Sequence, residues 1–114
     1  MTAINLYFDS AVAGATTDTQ LSAIVPTGQV VFLKSFGGSD VKNAGNDPDS
    51  IIAIQWGSGV SWTTIRAGSG QFFETTVGAE FVGDGVKRFR LVRQNRASAA
   101  HPIGAWVTAV VRSK

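Results

Sequence analysis

The chain of 114 residues contains no cysteine, one methionine, one tyrosine, one histidine and three prolines. Without cysteine there is no disulfide framework, no thiolate nucleophile and no Cys-ligated zinc, and nothing in the residues reports a redox compartment. The single histidine, His101 in Ala99-Ala100-His101-Pro102, falls in a predicted loop, where a lone histidine is far more often a surface or interface residue than the general base of a triad, and one histidine makes no His-rich metal site. No apolar run, Ala105–Val111 included, approaches the ~20 residues of a membrane-spanning helix. Met1–Asn5 lacks the basic and apolar regions of a secretory signal, so a soluble protein without a cleaved leader is expected. Charge is sparse too, at 16% of residues against a usual ~25%. A neutral surface rich in Gly, Ser, Thr, Ala and Asn suits either a plain solvated domain or one that meets other proteins.

No stretch carries a helical period; the chain is organised by alternation and turns. Ile4, Leu6 and Phe8 alternate with polar residues and predict a first strand, and Ala11–Asp18 reads as a surface connection. Residues 19–25 predict a second strand, stopped by Pro26-Thr27-Gly28, where Pro presets φ and Gly supplies the turn. Gln29–Phe36 follows with Val30, Phe32 and Phe36 on one face and Val31 and Leu33 on the other. Gly37–Ser50 reads as the longest loop. Ile52, Ile54 and Trp56 then line one face of a strand, Gly57-Ser58-Gly59 turns it, and Val60, Trp62 and Thr64 answer it on the core side. Gly68-Ser69-Gly70 turns into 71–77, Gly78 into 79–82, and Gly83-Asp84-Gly85 into 86–94. Gln94–Pro102 reads as a polar loop before a last strand, 104–112. Turns every 8–12 residues predict an all-β chain: one antiparallel β-sandwich domain over 1–114, jelly-roll-like, with eight or nine short strands, a partly open barrel being the second architecture such a pattern allows.

The search for chemistry returns little. No Gly-x-Ser-x-Gly elbow, P-loop or dinucleotide fingerprint is present. Glu74 and Glu80 are the only glutamates; as solvent-facing strand residues they do not make the facing pair that glycoside hydrolysis needs. Asp40, Asp47, Asp49, Asn43 and Asn46 offer oxygens, but their spacing is not that of an EF-hand loop and such residues are ordinary in turns. The expectation is therefore no catalytic residue, no metal and no cofactor.

Charge is more informative in its placement than in its sum. Residues 1–84 hold all eight acids and three bases; residues 85–114 hold seven bases and no acid. Lys87, Arg88, Arg90, Arg93 and Arg96 fall within ten residues along and just past one predicted strand, with Arg88 and Arg90 on one face and Phe89 and Leu91 on the other. Paired guanidinium groups suit carboxylates or phosphates. With Trp56 and Trp62 expected in the core, the stacking platforms of a nucleic-acid barrel are missing, so a protein partner is the better expectation. Trp106 lies on a last strand that is apolar on both faces, and one of them needs cover. Lys87, Arg88, Arg90, Arg93 and Trp106 are thus the expected partner-binding residues.

The order Val25-Pro26-x-Gly28 before an apolar strand, a strand–Trp–hairpin, Phe81-x-Gly83-Asp84-Gly85 before a strand, and Gly104-x-Trp106-Val107-x-Ala109-Val110-Val111 resembles the small β-sandwich proteins of tailed-phage virions. Those are capsid decoration (cement) proteins and head-, neck- or fibre-associated modules. The resemblance spans roughly residues 20–112 and implies a virion protein that is not an enzyme. It would dock on a major capsid or neck/tail protein, as a homo-oligomer, commonly a trimer or ring. A carbohydrate- or receptor-binding fibre module is the alternative. One departure is that residues 1–8 read as a regular strand rather than a clasping arm, and such a strand can add to a neighbour's sheet.

Overall fold

The structure, a computed structural model, describes residues 2–8, 11–39, 50–68, 73–96 and 100–113. The described residues form ten strands: β1 (Thr2–Phe8), β2 (Ala11–Val12), β3 (Thr17–Leu21), β4 (Gln29–Ser39), β5 (Ser50–Ser58), β6 (Ser61–Gly68), β7 (Phe73–Val82), β8 (Arg88–Asn95), β9 (His101–Pro102) and β10 (Gly104–Ser113). Two antiparallel four-stranded sheets result, ordered β1-β10-β4-β7 and β3-β8-β5-β6, while β2 and β9 pair where the chain crosses between them. Leaving aside the short β2 and β9, successive strands change sheet at every step except the β5–β6 hairpin, which is the interleaved Greek-key order of a jelly roll. The all-β sandwich expected from the alternation is what the chain forms.

The core is the sum of the inward alternation. Leu6, Val31, Leu33, Phe36, Ala105, Val107, Ala109 and Val111 come from one sheet; Ile52, Ile54, Phe89 and Leu91 come from the other. At one end Trp56 closes the gap between sheets, 4.6 Å from Phe89 and 5.3 Å from Phe81, centroid to centroid, with Phe81 edge-on to Phe89. The opposite end is polar. There Arg93 and Asn95 continue the inward face of β8, and Asn95 Nδ2 donates to the carbonyls of Val12 and Ala13, fixing the β2 corner.

Several local readings need correction, and bulges or tertiary pairing account for most. Ala11–Asp18 is not a plain surface connection: Val12 is buried in β2, and β3 begins at Thr17 rather than 19 and ends at Leu21. Beyond Leu21 only isolated bonds continue, from Ser22 and Val25 N–H to the carbonyls of Phe89 and Lys87. In β4 a bulge at Lys34 reverses the alternation, so Phe36 joins Val31 and Leu33 in the core while Phe32 faces outward. Gly78 turns no corner: at φ 66° it sits in a bulge within a continuous β7, a conformation a glycine takes without steric cost. Gln94–Pro102 contains the end of β8 and all of β9 as well as connecting residues. Gly37–Ser39 belongs to β4; residues 40–49, with the loop acids and asparagines, lie outside the described residues, as do Ser69 and Gly70.

Candidate interaction faces

The two turn signatures of the sequence meet each other. Gly85 N–H donates to the Val25 carbonyl and Gly83 N–H to that of Gln29, so 25–29 and 83–85 form one end of the sandwich. Asp84 organises this end by accepting the backbone N–H groups of Val86 and Lys87, at 2.9 and 2.8 Å. Those bonds hold its carboxyl below the usual carboxylate range. Lys87 follows immediately, exposed, and feeds the chain into β8.

Along β8 alternation sends Phe89, Leu91, Arg93 and Asn95 inward and Arg88, Arg90, Val92 and Gln94 outward. The outward residues join a face whose register reads Leu21–Arg90–Gln55–Thr64 across the four strands, with Arg88–Gly57–Trp62 as the next row. Arg90 is braced: Nε donates to Gln55 Oε1 at 2.8 Å, Gln55 Nε2 donates to Thr64 Oγ1, and the guanidinium lies 4.3 Å over the Trp62 ring. Arg88 has a long bond, 3.4 Å, to the Ser22 carbonyl. Neither has a carboxylate partner among the described residues.

Arg93 belongs elsewhere. It is 3% exposed; Nε and Nη2 donate to Asp18 Oδ2, Nη1 donates to the Ile103 carbonyl, and the guanidinium covers the Phe8 ring at 4.3 Å. This arginine ties both sheets and the β9–β10 corner together, so its place among partner-binding residues is corrected to an internal one. Arg96 is exposed just past β8.

Trp62 is the residue that sequence reasoning misplaced. The hairpin turns at Gly59-Val60, not at Gly57-Ser58-Gly59, so Ser58 pairs with Ser61 and Trp62 stands opposite Gly57 on the outer face. Moving a turn shifts the register and exchanges the faces. Its indole Nε1 donates to the Gly59 carbonyl at 2.8 Å, which locks the ring beneath Arg90.

The outer face of the other sheet is mostly uncharged. Trp106, half-buried, lies in register between Tyr7 and Gly37; Val110 and Phe32 occupy a further row, with the Ser35 and Thr108 hydroxyls 2.8 Å apart between them. Glu74 and Glu80 lie exposed along β7, Glu80 paired with Arg112. His101 pairs through its backbone with Val12. No cluster of three or more metal-ligating side chains occurs among the described residues, and no helix is long and apolar enough to cross a membrane.

No family model and no curated protein matches the chain. Among solved structures it is similar to the Yersinia pseudotuberculosis-derived mitogen, at 12% identity over 88% of this chain and 90% of that one, with a TM-score of 0.44. It is similar also to the Drosophila NLP core, at 10% identity over 91% and 97% with a TM-score of 0.38. PirA matches at 11% identity over 93% of both chains, with a TM-score of 0.41. Likenesses of this degree lend no weight to a functional reading, and none of the three is described as a phage virion protein.

Proposed function

We propose that this chain is a virion structural protein that works by adhesion rather than catalysis, a head decoration protein or a neck/tail-associated component. The observation that supports this reading most is the outer face of the β3-β8-β5-β6 sheet. There Arg88 and Arg90 stand without carboxylate partners among the described residues, and Gln55 and Trp62 hold Arg90 in a fixed pose. A pre-positioned guanidinium loses little freedom on meeting a carboxylate, so this face suits an acidic surface on a capsid or neck protein. Lys87 and Arg96 add charge at either end of the same strand. Trp106 and Tyr7, side by side on the largely uncharged outer face of the other sheet, supply aromatic surface for contact between copies.

Reversing the pair, as Arg88→Glu with Arg90→Glu, places like charges against the acidic partner. Binding of the purified protein to particles stripped of it is expected to fall at least about a hundredfold at low salt, since like-charge juxtaposition costs several kcal/mol. Unchanged binding by a folded double variant would contradict the assignment.

The outward Trp62 favours one second reading, a carbohydrate- or receptor-binding fibre module. Arg90 already occupies a face of that indole, which leaves less of it for a sugar ring. A glycan array separates the two readings.

A further inference from the structure

Among the described residues, β1 is the sheet-edge strand that carries no charge, proline, glycine or bulge. On the far side of the sandwich, β6 is broken by a bulge beside Ile65-Arg66 and β7 by the one at Gly78, and both carry charged side chains. Edge β3 is short and contains Asp18. By contrast β1 runs Thr-Ala-Ile-Asn-Leu-Tyr-Phe with no charge, proline, glycine or bulge, and pairs throughout on one side only. Proteins blunt edges with just those devices, because an open edge is a template for another strand.

One side chain already covers part of this edge and thereby sets a register. Gln20 Oε1 accepts the outward N–H of Tyr7 at 2.8 Å. Backbone groups two residues apart point the same way, so Asn5 and Ala3 also turn their N–H and carbonyl groups away from β10. Beneath them lies an apolar groove of about 330 Å³, lined by Ile4, Val25, Pro26, Gln29 and Val111 with Ala23 and the exposed Ile24.

From this we infer that β1 pairs antiparallel with β1 of a second copy about a two-fold axis at Ile4. The inference deepens the assembly reading above and rests on it. In this register Ala3 and Asn5 of one copy exchange backbone hydrogen bonds with Asn5 and Ala3 of the other, and Gln20 keeps its bond to Tyr7. Ile4 faces Ile4 as the non-hydrogen-bonded pair, so the two apolar grooves adjoin across the axis and the two sheets become one. A second copy is the fitting occupant because the strand is uncharged, so it meets itself without repulsion. The register that uses both open residues is also self-complementary, as a two-fold requires. A contact of one short strand falls below the ~1,200 Å² of standard interfaces, so the pairing is weak in dilute solution and reinforced where copies are held side by side.

The absence of native cysteine gives a direct test. Opposed residues of a non-hydrogen-bonded pair have Cα atoms ~4.5 Å apart, within disulfide range. Under mild oxidation Ile4→Cys should form a linked dimer about tenfold or more faster than Val60→Cys at the fully exposed hairpin tip, because pairing raises the local thiol concentration. Asn5→Cys, which faces Ala3 of the second copy, should lag behind Ile4→Cys. Adding Asn5→Pro, which removes an outward N–H and none of the bonds to β10, should abolish the difference. Sedimentation at high concentration reports the same loss for Asn5→Pro alone, should Ile4→Cys fold poorly. Equal rates at Ile4, Asn5 and Val60, or association that Asn5→Pro leaves intact, would overturn the inference. A chain that fails to pair yet still joins particles would overturn it while leaving the virion reading in place.

Discussion

Arg93 and Arg90 sit three residues apart on one strand and do opposite work, because an odd separation puts them on opposite faces. Arg93 lies inside, with Asp18, the Ile103 carbonyl and the Phe8 ring sharing its guanidinium. Arg93→Met keeps the stem's packing but strands the carbonyl and the Asp18 carboxylate. Because Asp18 is itself 44% exposed, the expected loss is about 2–3 kcal/mol, at or below the low end of the range for broken buried pairs. Chemical denaturation measures it, and Arg93→Lys should recover only part, since an ammonium cannot reproduce the fork. Asp84 gives a smaller, pH-dependent effect. Its carboxyl is held low by the Lys87 and Val86 amides first, so its contribution is present at neutral pH and lost as pH falls through the depressed value. Asp84→Asn keeps an acceptor oxygen for the turn; its deficit in melting temperature should be seen at pH 7 and shrink toward pH 2. A deficit independent of pH would contradict this.

At the scale of elements, legibility followed the regularity of the strand. Alternation in β1, β5, β8 and β10 was plain from Ile4-x-Leu6-x-Phe8, Ile52-x-Ile54, Phe89-x-Leu91 and Ala105-x-Val107, and those residues do line the core. The same alternation, continued two steps along β8, places Arg93 and Asn95 inward, although a charged and a polar side chain at those positions look like surface residues by type. Where the period broke, sequence was mute. A bulge adds one residue without a composition signal, so Phe32 and Phe36 parted faces at Lys34, and Gly78 resembled a turn. Trp62 was lost to the hairpin register, since Gly57-Ser58-Gly59 and Gly59-Val60 are both plausible turns in local chemistry. Gly78→Ala tests the bulge: a positive φ of 66° costs an L-residue about 1–2 kcal/mol, read as a lower melting temperature with the strand content unchanged. A neutral substitution would mean the backbone there relaxes.

The whole molecule separates its tasks by surface. The interior is apolar at the Trp56 end and polar at the Arg93 end, which fixes how the two sheets stack. One outer face offers Arg88 and the braced Arg90, the other a largely uncharged face around Trp106, and one edge remains open beside its groove. Such a body has contacts to offer in three directions, which is what an adhesive component of a larger assembly needs. Quantitative mass spectrometry of virus particles purified from the source of the chain tests the proposed virion role most directly. A decoration role predicts the chain in fixed proportion to the major capsid protein, and a neck or tail role predicts a few copies per particle. Its absence from the particles would contradict the proposed virion role.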